Sequence, residues 1–391
     1  MPRIAFYAPL KPPDHPVPSG DREMARLLLA ALQAAGFTTQ IASGLRTLDA
    51  GGSRDFTAEA AAETASLLAG YRAHPESRPD LWFTYHVYYK APDLIGPAVS
   101  KALGIPYVIA EGSRAPKRAA GPWAVSHAQA EAALDAADLI LIPNPKDREM
   151  LEASRPAGQV LVDLPPFIDA SKWPLLEASR GEGEHRLLTV AMMREGDKLA
   201  SYRILAEALH LMHTSSWRLD IVGDGPGRQE VETVFARFGD RIRFHGLIDE
   251  TAVLAGRYAK ADILAWPAVN EAFGMVFLEA ALQGCPSVAG DYGGVGSVVI
   301  DGETGLLAQP GDARDFAAAL ERLIGDARLR KSLSAGASHF AREERSLAGA
   351  ARLLREALPG SADVSSALET RRHQDGAPDA FKVKPQDKQD P

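Results

Sequence analysis

Short apolar runs alternate with longer segments of mixed polarity along most of the chain. In the first half the apolar runs lie at residues 3–8, 39–42, 81–86, 107–110, 139–142 and 160–164. In the second half they lie at residues 187–191, 218–222, 243–245, 263–266 and 287–289. Segments with helical periodicity separate most of them, and this alternation is typical of a parallel sheet covered by helices on both faces. The pattern therefore predicts an α/β fold.

The clearest helical segment covers residues 21–35. Apolar residues recur four apart from Met24 to Leu32 and would share one face of a helix. Ser19 favours a helix start just before this segment, and Gly36 favours a stop just after it. Three closing helices are predicted over residues 312–325, 329–342 and 347–358.

A stretch rich in proline and glycine divides the two sets of strands. Three prolines lie between residues 165 and 174, and Gly-Glu-Gly-Glu follows at 181–184, a composition typical of a linker. The last residues are polar and aperiodic, which is typical of disorder. We therefore predict a Rossmann-like domain at 1–168, a linker at 169–184, a second Rossmann-like domain at 185–345, a closing helix at 346–358 and a disordered tail at 359–391.

Composition narrows the class of protein. With 46% hydrophobic and 24% charged residues, the 391-residue chain has the balance of an ordinary globular protein. Its net charge of -8 argues against broad binding to nucleic acid, which needs clustered Lys and Arg. A single cysteine, Cys285, excludes an intramolecular disulfide and suits a reducing compartment. No apolar run approaches the length of a membrane span. We expect a cytoplasmic protein, and contact with the inner face of a membrane stays open.

The most informative segment is residues 270–280, with the sequence Asn-Glu-Ala-Phe-Gly-Met-Val-Phe-Leu-Glu-Ala. It follows a predicted strand and places a loop and then a helix start at that strand's carboxyl end. Open α/β sheets bind ligands there, because free amides and the helix dipole favour a phosphate. Gly274 would let the ligand approach the backbone, and Met275 and Val276 would present the amides.

Two glutamates in this segment are expected to have different roles. Glu271 and Glu279 are eight residues apart, so inside one helix they would be offset by about 80°. We place Glu271 in the loop, reaching toward hydroxyls beyond the phosphates, and Glu279 in the helix, accepting hydrogen bonds from a ribose. Taken alone, the pair is equally consistent with a solvated helix face.

This run resembles the glutamate-x7-glutamate motif of the retaining glycosyltransferases of family 4, which have the GT-B fold of two Rossmann-like domains around a cleft. Further segments resemble that family's motifs in the family's order, and the resemblance is strong from about residue 187 to 324. These segments are Val-Gly-Asp-Gly-Pro at 222–226, Phe-His-Gly at 244–246, Gly-Gly-Val at 293–295, Asp-Gly-Glu-Thr-Gly-Leu-Leu at 301–307 and Pro-Gly-Asp at 310–312.

The resemblance implies transfer of a sugar from a nucleotide-diphosphate sugar to an acceptor hydroxyl, with retention of anomeric configuration. The enzyme would be of the hexosyltransferase type and independent of metal. It would need no cofactor, since the nucleotide-sugar is a substrate. The acceptor would be a glycan, a lipid-linked molecule or a small molecule. No metal site is predicted, because His210 and His213 lack further ligands and are assigned to helix packing.

Donor-binding residues are carried over by position. Lys198 matches the family lysine that faces the donor diphosphate, whereas Met192 stands where an arginine is expected, so Arg194 is the candidate substitute. Surface charge in an ordinary loop remains the alternative for both cations. Gly20, in the loop before the first helix, and Gly225 complete the predicted donor site.

The candidate catalytic residues are Glu271 and, in the first half, His86 and Glu111. His86 ends a strand among aromatic residues, which suits an acceptor site or a packed aromatic patch. Glu111 occupies a position where many relatives have a histidine; it would stabilise positive charge at the anomeric carbon or pair with a nearby cation. The basic run of Arg114, Lys117 and Arg118, with Trp123, suits an anionic lipid surface, a phosphorylated acceptor or a solvated helix start.

Two other functions stay open. One is a different GT-B enzyme, such as an epimerase or a phosphorylase-like protein, and the other is a catalytically silent relative that binds nucleotide or carbohydrate. The silent relative stays open because of the departures at Met192, Glu111 and Ser297. At the last of these positions many relatives carry glutamate. A nicotinamide dehydrogenase is disfavoured, since residues 223–227 lack the GxGxxG spacing.

Overall fold

The computed structural model describes residues 1–17, 19–176 and 183–358, which form two parallel six-stranded sheets. The first sheet has the order β2-β1-β3-β4-β5-β6. Its strands are β1 (Arg3–Tyr7), β2 (Thr38–Ser43), β3 (Leu81–Val87), β4 (Tyr107–Gly112), β5 (Leu139–Ile142) and β6 (Val160–Asp163). Its helices are α1 (Gly20–Ala34), α2 (Thr57–Ala73), α3 (Gly96–Leu103), α4 (Ala124–Ala136) and α5 (Pro145–Ala153).

The second sheet has the order β12-β11-β10-β7-β8-β9. Its strands are β7 (His185–Val190), β8 (Trp217–Val222), β9 (Ile242–Phe244), β10 (Ile263–Trp266), β11 (Ser287–Gly290) and β12 (Gly305–Ala308). The helices of this half are α6 (Asp197–Leu211), α7 (Arg228–Phe235), α8 (Thr251–Lys260), α9 (Met275–Leu282), α10 (Ala313–Gly325), α11 (Ala327–His339) and α12 (Leu347–Ala357). None of the helices in the described residues is long and apolar enough to cross a membrane.

The predicted α/β class is confirmed, and most predicted strands agree with the observed ones to within two residues. Strand β12 was missed, because its few residues directly follow a run of turn residues and give too short a periodic signal. Helix α1 begins one residue before the predicted start, and the Ser19 hydroxyl caps it by accepting the Arg22 amide at 3.2 Å. Cys285, the single cysteine, is buried.

Helix α12 packs against the first sheet's helix α1, although it is the last described element of the chain. Leu354 and Leu358 are fully buried in the same apolar cluster as Met24 and Leu28. The Arg355 guanidinium donates to the backbone carbonyls at the end of α1, at 3.0 Å. The chain therefore returns to its first domain after completing the second. The predicted tail and the first half of the Gly/Glu run at 181–184 lie outside the described residues.

The loop between β10 and α9 brings the two halves together. Phe273 in that loop and Met275 at the start of α9 pack against the apolar cluster of the first sheet. Gly294, in the turn after β11, lies against Asn144 at the start of α5, where a Cβ added to the glycine would be 3.5 Å from the Asn144 Cγ. Loops at strand carboxyl ends from both sheets therefore meet in one cleft.

Candidate active site

The loop from β10 to α9 has an unusual backbone conformation, which hydrogen bonds to α6 hold in place. Ala268, Asn270 and Gly274 all have positive φ angles, of 56°, 50° and 68°. The Val269 amide donates to the Ser201 hydroxyl of α6 at 2.9 Å, and the Asn270 side-chain amide donates to Asp197 at 3.0 Å. These bonds hold the loop against the first turn of α6. They offset the strain of left-handed backbone at two residues that are not glycine.

Glu271 lies in this loop, which confirms the predicted placement, and it forms an ion pair with Lys198 of α6. The two side chains are 22% and 28% exposed, so the pair is accessible to a ligand without being fully solvated. The Lys198 ammonium also lies 5.6 Å from the Trp266 ring centroid. The structure therefore brings together two residues predicted from separate motifs.

Glu279 lies in α9 and differs from Glu271 in its surroundings. Its carboxylate accepts a hydrogen bond of 2.8 Å from the Tyr258 hydroxyl. Burial raises the pKa of Glu279 to about 7, opposed by that hydrogen bond and reinforced by the charge of Glu23 in α1. Near neutral pH this carboxyl is therefore able to accept or to donate a hydrogen bond.

Two glycine turns support the site where no side chain fits. At Gly225, with φ of 152°, a Cβ would lie 2.3 Å from the Met193 carbonyl oxygen; at Gly223 it would lie 1.9 Å from that of Ala191. At Gly293 a Cβ would lie 2.3 Å from the Glu271 carbonyl oxygen. Both turns are thus packed against loops that carry predicted donor-binding residues, which explains why glycine is required there.

Ser297 follows the turn that contains Gly293, and its side chain points back into that turn. Its hydroxyl donates to the Gly294 carbonyl at 2.5 Å. The Ser297 side chain therefore stabilises the turn.

On the opposite side of the cleft, the structure brings His86 and Glu111 together. The His86 Nδ1 lies 3.3 Å from a Glu111 carboxylate oxygen and 3.8 Å from that of Asp21 in α1. Glu111 is buried at the end of β4 and has a positive φ of 65°. A left-handed conformation at a buried glutamate is a strained feature of the kind that clusters at functional sites.

Burial and mutual attraction compete in this group. Burial disfavours the charged form of His86, but Glu111 and Asp21 outweigh it and raise the His86 pKa above its ordinary value. Burial raises the pKa of Glu111 to about 7, against the attraction of His86. Asp147 in α5 also faces His86, and burial raises its pKa. Glu111 therefore titrates near neutral pH beside a histidine whose charged form is favoured.

Cations from both domains lie within electrostatic reach of Lys11. Burial lowers the pKa of Lys11, which lies after β1, and the neighbouring charges of Arg194, Arg46 and Arg22 lower it further, against the attraction of Asp21. Arg194 belongs to the second domain and is exposed. Mutual repulsion among these cations is relieved by an anion placed between them.

Sequence reasoning missed Lys11, Asp21 and Asp147. Each lies in a loop or first helical turn at a strand's carboxyl end, which is a usable signal, but none belongs to a recognisable motif. Gly20, the first residue of α1, has the predicted place between β1 and α1; a Cβ there would meet nothing within 4 Å, so sterics do not require glycine.

Two expectations were wrong. Arg114 is not part of a basic surface, because its guanidinium pairs with Glu131 and Asp135 of α4 and its side chain is only 3% exposed. It therefore does not pair with Glu111. His210 and His213 do not pack within a helix: both are exposed, and α6 ends at Leu211.

The second domain matches a known family. Residues 184–326, which contain β7 to β12, match the family described as Glycosyl transferases group 1. Over 144 residues the chain is 35% identical to a D-inositol 3-phosphate glycosyltransferase of Streptomyces bingchenggensis, covering 35% of this chain and 31% of that protein. Over 161 residues it is 32% identical to a glycogen synthase of Mycobacterium tuberculosis, covering 41% of this chain and 38% of that protein. The matched stretches thus span about a third of each relative.

Solved structures resemble nearly the whole chain. Sucrose-phosphate synthase from Thermosynechococcus elongatus superposes with a TM-score of 0.68 at 20% identity, covering 96% of this chain and all of that one. The Anabaena protein HepE in complex with UDP superposes with a TM-score of 0.69 at 16% identity, covering 91% of this chain and 99% of that one. At these identities the likeness defines the fold, which is GT-B, as predicted.

Proposed function

We propose that this protein is a glycosyltransferase that moves a sugar from a nucleotide-diphosphate sugar to an acceptor hydroxyl, with retention of anomeric configuration. The observation that carries the proposal is the Glu271–Lys198 pair. Glu271 lies just before α9, in the loop whose Phe273 packs against the first domain. The carboxylate of this pair can bind sugar hydroxyls and its cation can bind phosphate. Both groups lie beside the amino end of α9.

The donor diphosphate is assigned to the start of α9. Met275 and Val276 are the first residues of that helix, and their amides have no partner in a preceding turn. The helix dipole favours an anion there, and Lys198 adds a full positive charge. Arg194 and Lys11 complete a group of cations drawn from both domains. As the nucleotide leaves, this group stabilises the growing negative charge on the diphosphate.

The two glutamates of the motif bind opposite ends of the donor. Glu271, held by Lys198, is assigned to the hydroxyls of the transferred sugar. Glu279, on the next turns of α9 beside Tyr258, is assigned to the ribose hydroxyls. In both assignments the carboxylate oxygens accept hydrogen bonds from hydroxyl groups of the nucleotide-sugar.

His86 and Glu111 are assigned to the reaction centre from the first domain. A protonated His86, maintained by Glu111 and Asp21, stabilises negative charge on the departing phosphate or on a donor hydroxyl. The acceptor oxygen attacks the anomeric carbon from the face that the diphosphate leaves, and its proton passes to the leaving phosphate oxygen. No protein nucleophile is assigned, and the transfer is proposed to be independent of metal.

The relatives and structural neighbours support the type of reaction that we propose. The curated relatives named above are a glycosyltransferase and a glycogen synthase, and one structural neighbour was solved with UDP. On this basis we infer a hexosyl donor and assign the chain to family 4. A cytoplasmic location, with or without contact at the inner face of a membrane, belongs to the same proposal.

The test is product stereochemistry. The purified protein is incubated with UDP-, GDP- or ADP-glucose, a chelator and a mixture of candidate acceptors, and the anomeric proton of the product is followed by NMR. An α-linked product from an α-linked donor is expected, and a β-linked product would contradict retention. Conversion of the sugar without a separate acceptor would favour an epimerase or phosphorylase-like enzyme. Donor binding without turnover would favour a silent relative.

A further inference from the structure

A cluster of aromatic rings and cations extends from the proposed reaction centre along the first domain. Its rings are those of Tyr88, Tyr89 and Trp123, and its cations are Lys90 and Arg118. The rings touch in sequence: His86 to Tyr88 with centroids 4.9 Å apart, Tyr88 to Tyr89 at 5.4 Å, and Tyr89 to Trp123 at 5.7 Å. A ligand with one end at His86 would therefore contact a continuous aromatic surface along the rest of its length.

Both cations lie on the same two rings at the outer end of this surface. The Lys90 ammonium is 5.6 Å from the Tyr89 centroid and 5.4 Å from that of Trp123. The Arg118 guanidinium carbon is 5.2 Å and 5.0 Å from the same two centroids. Each position satisfies the geometry of a cation–π contact, which holds the two like charges near one another.

Neither cation is neutralised within the described part of the chain. Arg114, a few residues earlier, pairs with two carboxylates, whereas Lys90 and Arg118 form no ion pair with a described residue. Asp49, whose backbone bonds to Lys90 and Trp123, uses its carboxylate to accept the amides of Gly51 and Arg54 at 2.9 and 2.6 Å. Two converging cations without a counter-charge form a site that favours an anion.

The local backbone adds to the same preference. Trp123 immediately precedes α4, so the amino end of this 13-residue helix lies beside the two cations. The helix dipole contributes partial positive charge at that end. The indole nitrogen of Trp123 donates to the Asp49 carbonyl at 3.2 Å, which fixes the ring beneath the cations. The position of the cluster is therefore fixed by the surrounding backbone.

We propose that this cluster is an acceptor subsite for a phosphate group, so that the enzyme glycosylates a phosphorylated acceptor. The proposal rests on the function proposed above. The sugar or polyol part of the acceptor packs on Tyr88 and Tyr89 with its reacting hydroxyl near His86. Its phosphate binds between Lys90 and Arg118, away from the donor diphosphate site at α9.

The first experiment measures phosphate binding while the donor site is filled. Inorganic phosphate, glucose 6-phosphate and glycerol 3-phosphate are titrated by calorimetry into protein saturated with the nucleoside diphosphate that binds it best. At least one of the three is expected to bind, and Arg118→Ala or Lys90→Ala is expected to weaken that binding roughly tenfold, the effect of one charge-assisted contact. Lys117→Ala is the matched control, since Lys117 is the exposed cation next to Arg118 and makes none of the ring contacts. It should change affinity less than about twofold.

Three outcomes would overturn the subsite. Wild-type protein that binds nucleotide but none of the phosphates would do so, and so would equal losses in Lys117→Ala and Arg118→Ala. The third is binding to phosphatidylglycerol-containing vesicles, lost in Arg118→Ala, without binding of any soluble phosphate, which would make the cluster a membrane surface. Unchanged nucleotide binding in Arg118→Ala keeps these results separate from a failure of the proposed donor site.

Discussion

Glu271 and Glu279 belong to one sequence motif, but their surroundings differ. Glu271 faces the cleft from a loop and is paired with Lys198. Glu279 is held inside α9 by Tyr258. The spacing of the pair was enough to predict that only the second would be helical. Their actual partners depend on α6 and α8, which are distant in sequence, and no local pattern specifies them.

Replacing Glu271 tests the catalytic assignment. Glu271→Gln keeps the side-chain shape but removes the charge that pairs with Lys198 and accepts donor hydroxyls. We expect turnover to fall by roughly 100-fold or more, in the range seen when a single electrostatic contact at a reaction centre is lost. The melting temperature should be nearly unchanged. Glu195→Gln, at an exposed carboxylate of a nearby loop, is the control and should retain turnover. Full activity in Glu271→Gln would remove the residue from the mechanism.

Glu279 is expected to make stability depend on pH. The unfolded chain releases this proton near the ordinary value of 4.5, whereas the folded protein holds it until about pH 7. Stability contributed by the protonated carboxyl is therefore present at low pH and is lost as pH rises through about 7. Between pH 5 and pH 8, wild type should lose about 1–3 kcal/mol of unfolding free energy relative to Glu279→Gln. Urea unfolding of both proteins at the two pH values measures this, and parallel curves would contradict it.

At the scale of elements, strands and helices were largely predictable, since their apolar periodicity is local. Strand β12 was the exception, because four residues after a turn carry little periodic signal. The pairing of α12 with α1 was not predictable. Each helix has an apolar face like that of most helices in globular proteins. Nothing in either sequence indicates that the two helices bury those faces against each other.

That pairing predicts a long-range effect on stability. Leu354 is fully buried between α12 and α1, and Leu354→Ala leaves a cavity there. A cost of about 2–5 kcal/mol in unfolding free energy is expected. Hydrogen exchange should show the loss of protection in the first domain's α1, far away in sequence. Glu356→Ala, on the exposed side of the same helix, serves as the comparison and should cost little. Exchange confined to α12 would contradict the packing.

At the scale of the whole molecule, the site exists only because two sheets share a cleft. The second domain supplied the motifs that made the fold and the donor site predictable. The first domain supplied Lys11, whose proximity to Arg194 follows from the arrangement of the two sheets and from no sequence pattern. We therefore infer that cations from both domains hold the donor.

The most direct test is a thermal-shift measurement with UDP, GDP, ADP and their glucose conjugates, without metal. A ligand bound only to the folded state at a hundred times its Kd adds about 2.7 kcal/mol of stability. We predict a rise in melting temperature with one nucleotide, diminished in both Lys11→Ala and Lys198→Ala and retained in Lys117→Ala. No rise with any nucleotide, or a rise that survives in both variants, would contradict a donor site built from the two domains.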